Sequence, residues 1–226
     1  MTESKRAAGR RAADLVESGQ LVGLGTGSTV FFTLERLGER VAKDGLQIRG
    51  VPTSVDTETK AREFGIPLAT LAEVDGFDIT IDGADEIDGS FQMIKGGGGA
   101  LLREKVVASL SKRVVIVVGA GKVVERLGTT FDLPVEVVPF ARSVVERRIR
   151  ALGGEPSLRT LDGTSYLTDN GNEILDVHFT GGIDDAAAME LALDAIPGVV
   201  ESGLFIGLAH ARVVGEDDGT ATLVER

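Results

Sequence analysis

The chain has 226 residues and no cysteine, and its 35 acidic residues outnumber 24 basic ones to give a net charge of −11. A hydrophobic content of 42% excludes an intrinsically disordered chain, and the lack of cysteine excludes disulfides, zinc–thiolate sites and cysteine nucleophiles. The negative charge argues against a nucleic-acid binder, which needs a basic surface to approach phosphate groups.

The hydropathy pattern also argues against a membrane protein. No apolar stretch approaches the ~18 residues that a membrane-spanning helix needs. Residues 1–19 lack the apolar segment of a signal peptide and are instead predicted to form an amphipathic helix. We therefore expect a cytoplasmic protein that does not bind a membrane.

Short apolar runs alternate with helical patterns through the first half of the chain. The predicted elements are strands at Gln20–Leu24, Leu46–Val51, Phe77–Ile81 and Val114–Val118, and helices at Thr29–Lys43, Val55–Phe64 and Ala100–Lys112. Continuous apolar strands separated by helices are typical of a parallel sheet covered on both faces. We therefore predict an α/β fold with a Rossmann-like parallel sheet, in which ligands bind beyond the carboxyl ends of the strands.

The pattern changes in the second half. The predicted order is a strand at Val135–Phe140, a helix at Ser143–Leu152, strands at Glu155–Leu161 and Ile174–Phe179, a helix at Asp184–Ile196 and a strand at Gly198–Phe205. This βαββαβ order predicts a small ferredoxin-like lobe. We expect residues 1–133 to form the first part of the main domain, 134–205 the inserted lobe, and 206–226 a return to the main sheet.

Glycines, of which there are 30, occur at about twice the usual ~7% and cluster after the apolar runs. The first cluster is Gly25–Thr29, between a predicted strand and helix. Its glycines allow a ligand to approach the backbone, and the N–H groups at a helix start favour an anion. A tight turn capped by Ser28 or Thr29 is the structural alternative. Because Val30 breaks the dinucleotide fingerprint, a monophosphate fits better than a nucleotide.

The second cluster is acidic and extends from Asp82 to Asp88, directly after a predicted buried strand. Ile87 stands where a calcium loop requires glycine, and both histidines are distant in sequence, so no metal site is expected. Asp82 and Asp85 can instead accept hydrogen bonds from sugar hydroxyls or move protons. The alternative is a solvated polar turn.

The third cluster is Lys95–Gly99, leading into a predicted helix that contains Glu104. Four ordered glycines are costly in conformational entropy, so this loop is interpreted as exposing N–H groups to a negative ligand. Glu104 shares its helix flank with Val107 and Ala108, which makes it a candidate general base in partly apolar surroundings. An ordinary acidic residue that complements the helix dipole is the alternative.

A fourth cluster, Gly119–Lys122, places a lysine after the strand Val114–Val118. A lysine at a strand end suits an anionic ligand, although surface lysines are common. Thr53, Ser54 and Thr57 follow another strand and are interpreted as helix-capping residues.

Taken together, the segments GLGTGST, DGADEID, KGGGGALLREK and LPVEVVPFA closely resemble ribose-5-phosphate isomerase of the A type, in this order and spacing. The later TDNGN and PGVVESGLF are also similar to that family, so the resemblance covers nearly the whole chain. The chain departs from the family pattern before Lys122, where Gly119-Ala120-Gly121 stands in place of an Asp-x-Ser.

The resemblance implies reversible isomerisation of D-ribose 5-phosphate to D-ribulose 5-phosphate through an enediolate, without a metal or an organic cofactor, by a homodimer or homotetramer. It assigns Glu104 as the proton acceptor. The chemistry of the reaction adds Asp82, Asp85 and Lys95 as catalytic residues that can stabilise or move charge at O1 and O2, and it leaves open which aspartate assists ring opening. The implied substrate-binding residues are Thr26, Gly27, Ser28, Thr29, Asp82, Gly83, Ala84, Asp85, Lys95, Gly96, Gly97, Gly98 and Lys122.

Two other functions remain as alternatives from the residues alone. A sugar-phosphate sensor would keep the phosphate loop but would need no base such as Glu104. A coenzyme A transferase-like enzyme would use a glutamate as a covalent nucleophile, but the short chain and the phosphate-type loop argue against it.

Overall fold

A computed structural model of the chain describes residues 2–226. In chain order, its first elements are α1 (Thr2–Ala13), β1 (Leu21–Leu24), α2 (Val30–Lys43), β2 (Arg49–Pro52), α3 (Val55–Glu63), β3 (Ile79–Gly83), β4 (Glu86–Ile87), β5 (Met93–Ile94), α4 (Leu101–Ser109) and β6 (Val114–Gly119). The remaining elements are β7 (Leu133–Val137), α5 (Arg142–Ala151), β8 (Glu155–Leu158), β9 (Thr160–Leu161), β10 (Thr164–Ser165), β11 (Glu173–His178), α6 (Ala186–Asp194), β12 (Val199–Ser202), β13 (Leu204–Phe205), β14 (Ala211–Gly215) and β15 (Ala221–Glu225).

The first of two compact units contains a six-stranded sheet. Within the described part of the chain, this first unit comprises residues 2–84, 103–123 and 208–226. The strand order is β15-β14-β6-β3-β1-β2, and every neighbouring pair is parallel except β14 and β15. The predicted parallel α/β sheet is therefore confirmed, and the chain after residue 206 does supply its last two strands.

Burial on both faces explains why β6, in the middle of this sheet, is continuously apolar. Val114–Val118 in β6 is buried throughout, with exposures of 1% or less. On α1, Ala8 and Ala12 are fully buried in the same core as β1 and β3. Small residues allow this helix to approach closely, because a Cβ atom at Gly215 would lie 1.9 Å from the carbonyl oxygen of Ser4.

The second unit comprises residues 85–102 and 124–207. Its main sheet has the order β12-β7-β11-β8 with antiparallel pairing, and α5 and α6 complete the predicted βαββαβ sequence of elements. Fully buried Val135, Ile149, Leu175 and Leu193 join strands and helices in one core.

The second unit is wider than the predicted lobe at residues 134–205, because it also takes in 85–102 and 124–133. The reason is a three-stranded sheet of order β13-β5-β4, in which Leu204 pairs with Ile94 and Ile94 with Glu86. Strands of two residues have no alternation to recognise in a sequence. They nevertheless tie the segment after β3 to the second unit.

Several strand boundaries differ from the predictions. β7 ends at Val137 rather than Phe140, and the predicted strands Glu155–Leu161 and Gly198–Phe205 are each divided in two, into β8 with β9 and into β12 with β13. β2 begins at Arg49 rather than Leu46, because its register with β1 starts at the pair Leu21–Arg49. β3 ends at Gly83 rather than Ile81, so Asp82 belongs to the strand. Among residues 2–226, no helix combines the length and the apolar character that crossing a bilayer requires.

Candidate active site

The loop between β1 and α2, Gly25–Thr29, is the candidate anion site, and we refer to it as the anion loop. A Cβ atom at Gly25 would lie 2.2 Å from Asp82 Oδ1, so only glycine fits there. Gly27 has a φ of +124° and faces open space, a conformation that side chains rarely adopt. Thr29 is the N-cap residue of α2, and within residues 2–226 its side chain makes no capping hydrogen bond. The helix start therefore offers backbone N–H groups to a ligand.

Thr26 has a different role from the other loop residues. Its backbone N–H donates to Asp82 Oδ1 at 3.0 Å. Its hydroxyl lies 2.9 Å from Thr53 Oγ1 and donates to Ser54 Oγ at 2.8 Å. Thr26 thus anchors the loop to the interior of the first unit.

Ser54 has the capping role that the sequence indicated. Its side chain accepts a hydrogen bond from the backbone N–H of Thr57 at 3.0 Å, at the start of α3. Thr57 in turn donates its hydroxyl to the carbonyl oxygen of Gly25 at 2.8 Å. The hydroxyl groups of Ser54 and Thr57 therefore hold the anion loop in place through hydrogen bonds to Thr26 and Gly25.

Lys5, which the sequence reasoning missed, reaches the same loop. Its Nζ donates to Ser28 Oγ at 3.0 Å. The helix that carries it can lie close because a Cβ atom at Gly9 would be only 2.7 Å from the carbonyl oxygen of Thr29. Lys5 and Ser28 are 23 residues apart, so no local sequence pattern connects them. The lysine adds a positive charge to the anion loop.

Asp82 is almost completely enclosed, with an exposure of 1%. Its Oδ1 accepts hydrogen bonds from the N–H groups of Thr26 at 3.0 Å and Gly83 at 2.7 Å. Asp82 therefore joins the ends of β1 and β3.

The other acidic residues of the cluster have separate partners. Glu86 is fully buried, and its two carboxylate oxygens accept from the N–H groups of Gly128 and Thr130, each at 2.6 Å. Asp88 accepts from the N–H groups of Ser90 and Gln92 at 2.8 and 2.9 Å. Across residues 2–226, no group of three or more histidine, cysteine or acidic side chains is arranged to hold a metal ion.

Asp85 and the loop Lys95–Gly99, which we refer to as the glycine loop, both belong to the second unit. Asp85 Oδ2 accepts a hydrogen bond from the N–H of Gly97 at 2.8 Å. Gly97 and Gly98 are exposed, whereas Gly96 is buried and has a φ of +104°. The structure thus joins two of the predicted site residues, Asp85 and Gly97, by one hydrogen bond.

Lys95 is almost fully enclosed, with an exposure of 3%. Its backbone N–H donates to the carbonyl oxygen of Gly203 at 2.9 Å, which extends the pairing of β5 with β13. Its Nζ lies 5.3 Å from the ring centroid of Phe205, within the range of a cation–π contact. The Lys95 ammonium group is therefore enclosed beside an aromatic ring.

Glu104 lies in the first turn of α4, five residues after Gly99. It is 4% exposed, and Val107 and Ala108 on the same helix are 3% and 6% exposed. Glu104 is therefore enclosed on the helix flank that it shares with these two buried apolar residues. A buried carboxylate at this position can accept a proton from a ligand that excludes water.

The carboxyl ends of the parallel strands place the remaining predicted residues on the same edge of the first unit. β3 pairs with β6 up to Gly83 and Val117, and β6 leads into a short 3₁₀ turn that ends at Lys122. Gly83 lies beside the anion loop, since a Cβ atom there would be 3.5 Å from the carbonyl oxygen of Thr26. Ala84 follows at the end of the first unit.

The comparisons with known proteins point to one family. The sequence model described as Ribose 5-phosphate isomerase A (phosphoriboisomerase A) matches residues 49–219. Ribose-5-phosphate isomerase A of Gloeobacter violaceus is 51% identical over 220 residues, which cover 97% of this chain and 95% of that protein. The corresponding protein of Bacillus mycoides is 48% identical over 219 residues, covering 97% and 98%.

Solved structures give the same result. Ribose 5-phosphate isomerase from Plasmodium falciparum superimposes with a TM-score of 0.96 at 38% identity and covers 100% of this chain and 99% of that one. A D-ribose-5-phosphate isomerase in complex with phospho-erythronic acid has a TM-score of 0.95 at 36% identity and covers 99% and 98%.

Proposed function

Because the chain belongs to the ribose-5-phosphate isomerase A family, we propose that the residues described above form the substrate site of that reaction. The chain is an aldose–ketose isomerase that interconverts D-ribose 5-phosphate and D-ribulose 5-phosphate. The family match over nearly the whole chain carries this conclusion. The roles of individual residues are our proposal, and they are supported by the geometry within each unit.

Glu104 is proposed as the base. The isomerisation removes a proton from C2 of the open sugar and returns one to C1 through an enediolate, so one base that reaches both carbons is sufficient. Burial of the Glu104 side chain at 4% exposure supports this role. A low-dielectric environment around the carboxylate also strengthens electrostatic contacts with the intermediate.

The anion loop is proposed to bind the phosphate. Backbone N–H groups of Gly27, Ser28 and Thr29 at the start of α2 offer donors, and the helix dipole favours a negative charge. Lys5 supplies a positive charge, because it already contacts Ser28 Oγ. Lys122 at the same sheet edge is proposed as a second cation for this end of the substrate.

The glycine loop and its lysine are proposed to act at the C1–C2 end. The exposed Gly98 presents a backbone amide, Gly97 binds Asp85 through its own amide, and the Lys95 ammonium group lies beside Phe205. These groups, with Asp82 and Asp85, would stabilise charge on O1 and O2 or move protons between them. Phospho-erythronic acid, bound by a relative, carries a planar carboxylate that resembles an enediolate.

The experiment that tests this assignment follows the reaction in D₂O. The unchanged enzyme should form ribulose 5-phosphate with deuterium at C1, because the proton on the base exchanges with solvent. Glu104→Gln removes the base, so turnover should fall by about 10²- to 10⁴-fold, the usual worth of general-base catalysis. Glu173→Gln is the matched control, since Glu173 is also a buried glutamate but pairs with Arg142. Normal turnover by Glu104→Gln would overturn the assignment.

We also propose that the chain assembles as a homodimer or homotetramer. Phe140 is 97% exposed, and Val138 and Val144 beside it in sequence are 41% and 43% exposed. A second copy would remove this apolar surface from water. Sedimentation equilibrium should give a dimer or tetramer, and Phe140→Glu should shift it towards monomer; a monomer at all concentrations would contradict the proposal. A cytoplasmic location stays a prediction from composition.

A further inference from the structure

Arg159 connects the main sheet of the second unit to the glycine loop. Its Nε and Nη2 donate to Asp176 Oδ2 and Oδ1 at 2.9 and 2.5 Å, which is a two-point ion pair. Its Nη1 donates to the carbonyl oxygens of Gly96 and Gly97 at 2.8 and 3.2 Å. The side chain is 15% exposed. One guanidinium group is therefore shared between a carboxylate and two peptide groups of the loop.

Tyr166 extends this contact to the next peptide group. Its hydroxyl donates to the carbonyl oxygen of Gly98 at 3.3 Å, and the Arg159 guanidinium lies 5.8 Å from its ring centroid. Burial raises the pKa of Tyr166, so the phenol remains a protonated donor at neutral pH. A Cβ atom at Gly99 would lie 2.2 Å from the Tyr166 hydroxyl, and Gly99 has a φ of +77°. Glycine is thus required where the loop meets this ring.

These contacts fix the direction of the loop's amides. In a trans peptide group the C=O and the N–H point in opposite directions. Because the carbonyl of Gly96 points to Arg159, the N–H of Gly97 points away from it, and it donates to Asp85. The carbonyl of Gly97 is held in the same way, so the N–H of Gly98 also points away from Arg159.

We propose that Arg159 is a positioning residue for the isomerisation: it draws the carbonyl groups of Gly96 and Gly97 to one side, which keeps the N–H of Gly97 on Asp85 and turns the N–H of Gly98 towards the reacting end of the sugar. This inference rests on the proposed function, since it takes the glycine loop as part of the substrate site. Carbonyl oxygens facing a forming enediolate would repel its negative charge. Amides whose oxygens are bound by a cation are also stronger donors.

The chemistry of arginine is essential to this role. A planar fork with five donors can satisfy both oxygens of Asp176 and two carbonyl groups at once. A lysine has one small ammonium group that keeps the charge and can keep the pair with Asp176, but it cannot hold both carbonyl groups in the same geometry. Arg159→Lys should therefore retain the fold and lose the positioning.

The test compares Arg159→Lys with Arg126→Lys. Arg126 is a matched control, because in the same unit its Nη1 donates to Asp184 at 2.6 Å and to the carbonyl oxygen of Gly181 at 3.5 Å, away from the glycine loop. We expect kcat of Arg159→Lys to fall about 10- to 100-fold, the scale of misplacing a catalytic group. KM should stay within about threefold, since the phosphate contacts are untouched. The control should keep both constants.

A second measurement uses added guanidinium ion. The guanidinium group of Arg159 lines an open cleft of about 520 Å³ together with Gly97 and Asp176, so a small cation can enter when the side chain is shortened. Guanidinium at concentrations that do not unfold the protein should restore part of the kcat of Arg159→Ala. It should not restore Glu104→Gln, whose missing group is a base.

The outcomes separate this inference from the function on which it rests. Unchanged kcat in Arg159→Lys, an equal fall in Arg126→Lys, or a rise in KM without a fall in kcat would each overturn the positioning role. If Arg159→Lys fails to fold, Asp176→Asn, which weakens the hold on Arg159, should show the same selective fall in kcat, and normal kcat would overturn the role. Normal turnover by Glu104→Gln would instead overturn the proposed site, whatever Arg159 does.

Discussion

Asp85 Oδ2 accepts a hydrogen bond of 2.8 Å from the backbone N–H of Gly97. A Cβ atom at position 97 would lie 2.6 Å from Asp85 Oδ1, closer than any relaxed contact, so the carboxylate occupies the space that a side chain would need. Glycine at this position has a steric cause and does not reflect flexibility, because its φ lies outside the left-handed region. The aspartate and the loop therefore fit each other as a pair.

Gly97→Ala should reduce activity with little loss of stability. The added methyl group forces the Asp85 carboxylate to move, and a shift of this size at a reacting group lowers kcat/KM by about tenfold or more. Gly89→Ala is the control in the same unit, because nothing lies within 4 Å of a Cβ atom there. Steady-state kinetics and thermal unfolding of both variants check the prediction. Equal activity of the two variants would show that Asp85 does not need its present position.

Removal of metal ions should leave activity unchanged. A cluster of acidic residues is a common feature of metal sites, but these carboxylates already accept backbone hydrogen bonds. Asp82 accepts from Thr26 and Gly83, and Asp85 accepts from Gly97. Glu86 turns to Gly128 and Thr130. Side chains committed to separate loops do not converge on one ion. The measurement is turnover after exhaustive dialysis against EDTA, and activity lost there and restored by Mg²⁺ or Mn²⁺ would contradict it.

The fold was predictable where burial leaves a strong pattern. Val114–Val118 reads as a strand because both faces of a parallel strand are buried, and β6 has these bounds within one residue. The three-residue extension of β2 to Leu46 was wrong, because Leu46 is buried at 6% exposure without joining the ladder. Hydrophobic residues mark burial and not pairing. The same limit hid β4, β5 and β13, which only long-range pairing defines.

The site was predictable where its residues are local. The burial of Glu104 follows from the helix face that it shares with Val107, and the glycine loops follow from turns after strands. Lys5 and Arg159 could not be found in this way. They reach their loops across 23 and 63 residues of chain, and each resembles an ordinary surface cation in the sequence.

Stability should decrease in acid through Glu39. A hydrogen bond from Arg10 lowers the pKa of Glu39 to about 2 from its ordinary value of 4.5. A carboxylate whose folded pKa is depressed stabilises the fold fully above the unfolded value, and this stabilisation is lost as the pH falls from 4.5 towards 2. Glu39→Gln should therefore be less stable than the parent protein at pH 6, and the difference should vanish near pH 2.

Urea unfolding at several pH values measures this difference, with Arg10→Met as the partner variant. Arg10 Nη2 lies 2.8 Å from Glu39 Oε2. Removing either partner should therefore reduce the dependence of the free energy of unfolding on pH in the same acidic range. The double variant should add little to either single one. A stability difference that stays constant between pH 6 and pH 2 would show that Glu39 titrates normally in the folded protein.

Lys5→Ala should weaken binding of the substrate's phosphate group without affecting the proton transfer between C1 and C2. Lys5 contacts Ser28 at the start of α2, where the phosphate is proposed to bind. A charged hydrogen bond is worth about 1.5–3 kcal/mol, so KM for ribose 5-phosphate should rise about 10- to 100-fold while kcat changes little. Slow turnover of ribose, which has no phosphate, should be the same in the variant and the parent enzyme.

Lys112→Ala is the control, since this lysine pairs with Asp78 before β6 begins. Inhibition by inorganic phosphate should weaken in Lys5→Ala alone. If Lys5→Ala lowered the turnover of ribose as much as that of ribose 5-phosphate, Lys5 would belong to the reacting end of the site.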